Sequence, residues 1–340
     1  MSQWPTHGPF GQYRRVVGEL SDPASIVVLS DGTIVVAERM AHTLRVIDLD
    51  GTTLREWGSL GSDPGQFLAP GSLAIDAQEH VYISDSGNHR IQVFDTKGQF
   101  VRAFSGHGMG PGQLIDPGGI WVHHDTVYVA DTGNHRIQVF TTDGQFQFII
   151  GKHGTGVGEF INPRGVVVNS QGEIFVADSF NHRIQKFDAR GKFIMSWGEY
   201  VSFPGLFASP SGLTWHEDQL FVVDSGNHRV QVFDGEGEFL DAWGSHALWL
   251  RDGEGRYETP TSIAIDPEGR FAIVVETHED RCQVIGRLGD ERLEPPPPVR
   301  ERSHFGKRLA TGGDLLIIPE PDLNVVGLYS LFHPTPILIG

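Results

Sequence analysis

Hydrophobic residues recur along the chain in short alternating runs, and the same run returns at a nearly fixed distance. The clearest copy, from Val81 to Phe94, combines an apolar segment, an acidic residue, an Asn-His-Arg turn and a second alternating segment. Closely similar copies span 127–140, 174–187 and 220–233. Period-2 alternation on both sides of a tight turn predicts a β-hairpin. Self-similarity at a fixed period predicts a repeat architecture.

The leading acid of each copy measures this period. Successive acids of the four strong copies are 46, 47 and 46 residues apart, and the weaker first and last copies add intervals of 47 and 52. These acids are Glu38, Asp85, Asp131, Asp178, Asp224 and Glu276. Each period also contains a short apolar strand after a proline and a further strand after a glycine turn. Four antiparallel strands in every 40 to 50 residues predict an all-β fold, a β-propeller of four-stranded antiparallel blades.

The segment from Asp85 to Phe94, with the upstream Pro-x-Gly and Gly-x-Gly-x-Phe elements, resembles the NHL repeat family. The resemblance covers roughly residues 10–290. It implies a rigid disc that binds a partner on the face formed by its loops, and it leaves the identity of that partner open.

The number of blades depends on the last fifty residues. We expect residues 1–340 to form a single propeller domain, with NHL-type blades one to six in 10–294 and a Pro-rich connector in 295–303. The segment 304–340 resembles an FG-GAP-type blade without its calcium loop, and Pro319 follows Glu276 by 43 residues, close to the period. We therefore favour seven blades over six, with Asp290 to Pro295 as the outer strand of blade six. Either Tyr13 to Gly18 or Thr335 to Gly340 would close the ring.

Composition narrows the class of partner. The 43 glycines and 20 prolines suit many short strands and turns. A net charge of -17 disfavours nucleic acid and anionic membranes. The single cysteine, Cys282, excludes an internal disulfide, and we interpret it as a small buried hydrophobe. No signal peptide or long apolar segment is evident, so we expect a cytoplasmic protein without membrane insertion.

The Asn-His-Arg turns allow two interpretations. A ring of histidines could form a metal site, but equivalent positions of successive blades are too far apart for one ion. We therefore favour a structural network in which the acid accepts hydrogen bonds from turn amides and Asn and Arg satisfy nearby carbonyls. No metal and no cofactor are expected. The network comprises Asp85, Asn88, His89 and Arg90; Asp131, Asn134, His135 and Arg136; Asp178, Asn181, His182 and Arg183; and Asp224, Asn227, His228 and Arg229.

The loops between blades are candidates for partner binding, since exposed loops often carry function. In propellers they share a face with the Asn-His-Arg turns. The loop before blade six is the longest, and we expect its aromatic residues to be exposed contacts. The candidate residues are His107, His153, Tyr200, Phe203, His246, Trp249, Arg251 and Tyr257.

The mouth of the central channel is predicted to be lined by the residue after each first-strand proline: Ala24, Gly71, Gly118, Arg164, Ser211 and Thr261. Peptidyl-hydroxyglycine amidating lyases, whose propellers resemble this one, place zinc-binding histidines after such prolines; none is histidine here. Arg164 could bind an anionic ligand or pair with a neighbouring acid. Arg164, Ser211 and Thr261 are the candidate ligand-binding residues.

Three functions follow as hypotheses. The first is a non-enzymatic scaffold that presents its loop face to a protein or peptide. The second is a propeller lyase or hydrolase with a small-molecule ligand in the channel. The third is single-stranded RNA binding, which the net charge disfavours.

Overall fold

The computed structural model describes residues 10–246, 255–287, 315–320, 325–330 and 333–339. Strand β1 (Phe10–Val17) comes first in the chain and belongs to the last blade. Blade one contains β2 (Pro23–Val28), β3 (Ile34–Glu38), β4 (Thr43–Ile47) and β5 (Thr53–Trp57). Blade two contains β6 (Pro70–Ile75), β7 (Val81–Asp85), β8 (Arg90–Phe94) and β9 (Phe100–Phe104). Blade three contains β10 (Ile120–His123), β11 (Thr126–Asp131), β12 (Arg136–Thr141) and β13 (Phe146–Ile150).

The next two blades repeat this order. Blade four contains β14 (Pro163–Val168), β15 (Ile174–Asp178), β16 (Arg183–Phe187) and β17 (Phe193–Trp197). Blade five contains β18 (Pro210–His216), β19 (Gln219–Asp224), β20 (Arg229–Phe233) and β21 (Phe239–Trp243). A loop with two short paired strands, β22 (Ser245–His246) and β23 (Arg256–Tyr257), leads to blade six. Blade six contains β24 (Pro260–Ile265), β25 (Phe271–Glu276) and β26 (Arg281–Arg287).

Each blade is an antiparallel sheet whose four strands follow chain order, except blade six, whose order is β1-β26-β25-β24. Phe10 pairs with Arg287 and Val17 with Cys282, so β1 supplies the outer strand. The innermost strands contact one another in ring order, including β24 with β2. The N-terminal segment therefore closes the ring, as one of the two predicted alternatives required.

The favoured seven-blade ring is wrong, because the described strands form six four-stranded blades. The outer position of blade six, which we had expected Asp290 to Pro295 to fill, is taken by β1, so β26 is paired on both sides. Residues 290–303 lie outside the described residues. The predicted seventh blade contains a separate three-stranded antiparallel sheet, β27 (Leu315–Glu320), β28 (Val325–Ser330) and β29 (His333–Ile339). The FG-GAP-like resemblance is not confirmed.

Apolar side chains fill the spaces between neighbouring blades. Between blades six and one, for example, Val17, Ile26, Val36, Phe271 and Val284 are buried in one cluster. The short apolar runs of β2, β3, β14 and β15 are buried on both faces, because each blade is covered by a neighbour on each side. No helix in the described part of the chain is long and apolar enough to span a membrane.

In each of the five loops that lead from blade one to blade six, one residue inserts into the core three positions before the next first-strand proline. These fully buried residues are Phe67, Leu114, Phe160, Phe207 and Tyr257. Tyr257, which we had expected to be an exposed partner contact, is thus a core residue at 0% exposure. A methyl group at Gly244, in the left-handed region at φ 100°, would come within 2.5 Å of the Tyr257 ring, so this loop start requires glycine.

Candidate binding face and channel mouth

The acid of each repeat is the centre of a buried hydrogen-bond network, seen here in blade three. Asp131 Oδ2 accepts hydrogen bonds from Arg136 Nε at 2.7 Å, from Asn134 Nδ2 at 2.9 Å and from Gln138 Nε2 at 2.9 Å. Its Oδ1 accepts one from the Ile115 amide at 2.8 Å. Asp131 is fully buried, so these donors replace the water that the carboxylate loses. The acids of blades two, four and five are bound in the same way.

The same side chains hold the preceding interblade loop against the turn. Arg136 Nη2 donates to the carbonyls of Gly110 and Gln113 at 2.8 and 3.0 Å. Asn134 donates to the Gly108 carbonyl at 3.0 Å. The loops and the turns therefore lie on one face, which we call the loop face.

The turn histidines connect each blade to the next. Their backbones are left-handed at the end of a single 3-10 turn, a conformation that histidine tolerates better than most residues. Nδ1 of His42, His89, His135 and His182 accepts a hydrogen bond of 3.0 Å from an amide of the following loop. The neutral rings therefore carry their proton on Nε2. Each histidine thus lies at a different interface of the ring, instead of converging on one point.

Three of these rings also contact a side chain of the following loop. The centroids of His89 and His107, of His135 and His153, and of His182 and Tyr200 are 4.6 Å apart. Burial, followed by the neighbouring His153, lowers the pKa of His135. No group of three metal-ligating side chains is found within the described residues.

The weaker copies in blades one and six keep the ion pair with altered residues. In blade six, Glu276 replaces aspartate and pairs with Arg281 at 2.6 Å. In blade one, threonine (Thr43) occupies the position at which other blades have the paired arginine. Glu38 instead pairs at 2.9 Å with Arg45, which occupies the position of the glutamine in other blades.

The innermost strands enclose a central channel with a volume of about 730 Å³. All six predicted mouth residues line this channel. Ala24 is buried, and the other five are partly exposed or hydrogen-bonded. Two of the candidates have structural partners: Ser211 Oγ lies 2.6 Å from Ser225 Oγ, and Thr261 Oγ1 lies 2.6 Å from Thr277 Oγ1. Both contacts lie within a blade; Ser211 Oγ also donates a hydrogen bond of 3.0 Å to the Thr261 carbonyl, which joins blade five to blade six at the mouth.

Arg164 has a different environment. Its side chain is exposed to the channel, and its guanidinium group lies over the ring of Phe180, 5.6 Å from the centroid. No carboxylate of the described residues forms an ion pair with it. Burial within the rim, together with the charge of Arg39, lowers the pKa of Arg164. The expected pairing with a neighbouring acid is therefore not seen in the described part of the chain.

Arg39 is a channel-lining residue that the sequence analysis missed. At the equivalent position, Ser86, Thr132, Ser179 and Thr277 donate a hydrogen bond of 2.6 to 2.8 Å to the carbonyl of the next blade's proline. Arg39 lacks that hydroxyl and extends into the mouth, 3.8 Å from Asp22. The sequence did contain a signal for Arg39, because blade one alone lacks serine or threonine at this position.

Several large exposed apolar side chains lie on the loop face, and others lie on the outer strands. Tyr200 and Phe203, in the loop between blades four and five, are each 69% exposed. The others on this face are Met40, Leu60, Leu68, Met109, Val157, Phe180 and Val201. The candidate loop residues His107 and His153 are also exposed. The backbone of His246 pairs with Tyr257, and Trp249 and Arg251 lie outside the described residues.

Comparison with known proteins agrees with this fold. Residues 67–94 and 207–233 match the NHL repeat model, and residues 113–197 match a model described as a 6-bladed beta-propeller. The chain thus contains NHL repeats within a six-bladed propeller. No curated protein gave a significant match.

Several solved structures share the architecture. A gluconolactonase from Xanthomonas campestris is 14% identical with a TM-score of 0.61, over 84% of this chain and 99% of that one. Virginiamycin B lyase from Staphylococcus aureus is 15% identical with a TM-score of 0.54, over 80% and 98% of the two chains. Hydrazine synthase from Kuenenia stuttgartiensis is 14% identical with a TM-score of 0.55, over 80% and 97%. At these identities the likeness shows the fold alone.

Proposed function

We propose that the protein is a binding platform that presents its loop face to a protein or peptide. The observation that carries this proposal is the exposed aromatic pair Tyr200 and Phe203 on a loop that is held in place. Clusters of exposed apolar side chains are characteristic of interaction sites, and aromatic residues are frequent hot spots.

The loop that carries this pair is fixed by the turn network of blade five. Arg229 Nη2 donates hydrogen bonds to the carbonyls of Phe203 and Leu206 at 2.8 and 2.9 Å. The Tyr200 ring lies against His182. A surface that is already ordered loses little conformational entropy on binding, which favours affinity.

The RNA-binding alternative has weaker support. The turn arginines that share the loop face, such as Arg90 and Arg136, are held by a buried aspartate and by loop carbonyls, with side chains only 15% and 12% exposed. They are therefore not available as a set of phosphate ligands. The enzymatic alternative depends on the channel, which requires a separate experiment.

The platform proposal is tested with peptides selected from a random library on the purified protein. The double variant Tyr200→His and Phe203→Asp uses residues found at equivalent positions of other loops, His153 and Asp63, so the fold is expected to tolerate it. We expect peptides rich in apolar anchors whose affinity falls by at least about tenfold in the double variant, or ~1.4 kcal/mol.

The matched control is Ile194→Gln, which removes an exposed apolar side chain from the outer strand β17, where blade three has Gln147. Its peptide affinity should equal that of the unchanged protein. Equal binding by the double variant, or failure to select any peptide, would contradict the proposal.

A further inference from the structure

Two cationic side chains reach the channel mouth from opposite sides of the ring. Arg39 belongs to blade one and Arg164 to blade four, which are three blades apart in a ring of six. They are close enough for the charge of Arg39 to lower the pKa of Arg164. Two guanidinium groups in one mouth repel each other, so the arrangement needs a compensating charge.

The described structure supplies little of that compensation. Asp22 is 3.8 Å from Arg39, longer than a hydrogen bond, and Arg164 contacts the Phe180 ring instead of a carboxylate. Asp116 and His278 also line the channel, but no carboxylate contributes to the pKa of Arg164. Among the described residues, Arg164 is therefore a cation at the mouth without a carboxylate partner, in a protein of net charge -17.

Neither arginine is required by the repeat. At the Arg164 position, other blades have Ala24, Gly71 or Gly118, which complete their strands without a charged side chain. At the Arg39 position, other blades use a hydroxyl that bonds to the next blade. Blade one gives up that bond, and its arginine lines the channel mouth instead.

The channel below the mouth suits a small organic molecule. Its volume of about 730 Å³ lies within the usual range for ligand sites. The first strand of each blade lines the wall, and its aliphatic residues are only 3% to 8% exposed because they also pack between blades: Ile26, Leu73, Ile120, Val166, Leu213 and Ile263. A ligand with a small apolar body would contact the backbone and the exposed edges of these residues while its anionic group stays at the mouth.

We propose that the channel mouth binds a small organic anion, a carboxylate or a phosphate ester, between the guanidinium groups of Arg39 and Arg164. Guanidinium groups recognise both anions through paired hydrogen bonds. The site is distinct from the peptide surface at Tyr200 and Phe203, so each can fail without the other.

Isothermal titration calorimetry at low ionic strength tests the site with benzoate, phenyl phosphate, succinate and inorganic phosphate, and with benzamide as the uncharged control. At least one organic anion should bind at one site per chain with a Kd of about a millimolar or tighter, and benzamide should bind more weakly. Arg164→Ala and Arg39→Ser should each weaken that binding by about tenfold or more. Both variants insert a residue that other blades carry at the same position.

Arg190→Ala is the matched control, because Arg190 is an exposed arginine in the turn between β16 and β17, on the opposite face. It should leave the affinity unchanged. The proposal is overturned if none of the organic anions binds, or if an anion binds equally well to the Arg164→Ala and Arg39→Ser variants.

Discussion

The turn networks and the channel mouth lie on the same face but differ in how closely they follow the repeat. In blades two to five the buried aspartate keeps the same arginine, asparagine and glutamine donors, with Asp-Arg distances of 2.7 to 2.8 Å. At the mouth, equivalent positions hold alanine, glycine, serine, threonine and arginine. A repeated residue is explained by the blade it stabilises, whereas a residue found in one blade needs its own explanation.

The largest expected effect concerns the repeated network. Asp131→Asn leaves the Arg136 guanidinium without its charged partner, and we expect a loss of about 3–5 kcal/mol in the free energy of unfolding. Denaturant titration measures this loss. The control Asp143→Asn changes an exposed residue of a hairpin turn and should have little effect. A loss below about 1 kcal/mol would show that the network adds little stability.

We expect a smaller loss of stability at Lys186, a core position at which blade four departs from the repeat. Lys186 is 1% exposed where other blades have Val93, Val139 and Val232, and its ammonium group lies 3.0 Å from Glu173 and 3.1 Å from Glu236. Replacing both acids by glutamine should destabilise the protein by about 1–3 kcal/mol.

This loss should be reversed by adding Lys186→Met, since a hydrophobic side chain needs no charged partner at that site. Equal unfolding free energies for the double and triple variants would contradict the interpretation that Lys186 depends on the two acids.

We expect the hydroxyl group of Thr277 to contribute about 1 kcal/mol to the free energy of unfolding by stabilising ring closure. Thr277 Oγ1 donates to the Pro23 carbonyl at 2.8 Å, across the interface where blade six meets blade one. Thr277→Val removes that bond, together with the one shared with Thr261 Oγ1, and keeps the shape. Thr132→Val removes the equivalent interblade bond, to the Pro163 carbonyl, between blades three and four. Thermal unfolding of both variants compares the two interfaces; an unchanged Tm for Thr277→Val would show that this hydroxyl does not stabilise closure.

The smallest effect is a pH dependence. Burial lowers the pKa of His135, so the unfolded chain binds a proton at this residue more readily than the folded protein. The contribution of His135 to stability is complete above the unfolded pKa of about 6.5 and is lost as the pH falls through the lower folded pKa. Protonation would also break the hydrogen bond from the Asn162 amide.

The variant His135→Asn should therefore lose less stability than the unchanged protein between neutral and mildly acidic pH, as measured by denaturant midpoints. Asparagine tolerates the left-handed backbone at this turn, so the substitution tests titration and not the backbone. Identical pH profiles would exclude His135 as the source.

The sequence was sufficient for the blades because their hairpins are local and their register is repeated. It was insufficient for the blade count, because the segment 304–340 keeps the spacing of the repeat although its described strands form a three-stranded sheet of their own. The spacing also left two strands that could close the ring, since the pairing of β1 with β26 joins segments far apart in the chain. Tyr257 was misplaced although it stands three residues before Pro260, as Phe67 does before Pro70. The extra length of its loop obscured that register.

The channel mouth was only partly predictable for a similar reason. Arg164 follows a first-strand proline, the position from which the mouth was inferred, whereas Arg39 reaches the same mouth from the end of β3. Side chains from two different strand positions meet there only after the ring has formed. The loop aromatics Tyr200 and Phe203 could be named from sequence, but their exposure depends on the loop conformation.

The position of strand β1 in the chain also affects how the protein folds during synthesis. During synthesis it leaves the ribosome before the other described strands, yet its partner β26 is the last strand of the ring to emerge. Until then β1 has no native neighbour, and blade six cannot close. Such long-range pairing slows folding, and a waiting strand edge can associate with another chain. Nascent chains that end before β26 should therefore be sensitive to protease at β1 and prone to aggregation, although blades one to five are already complete.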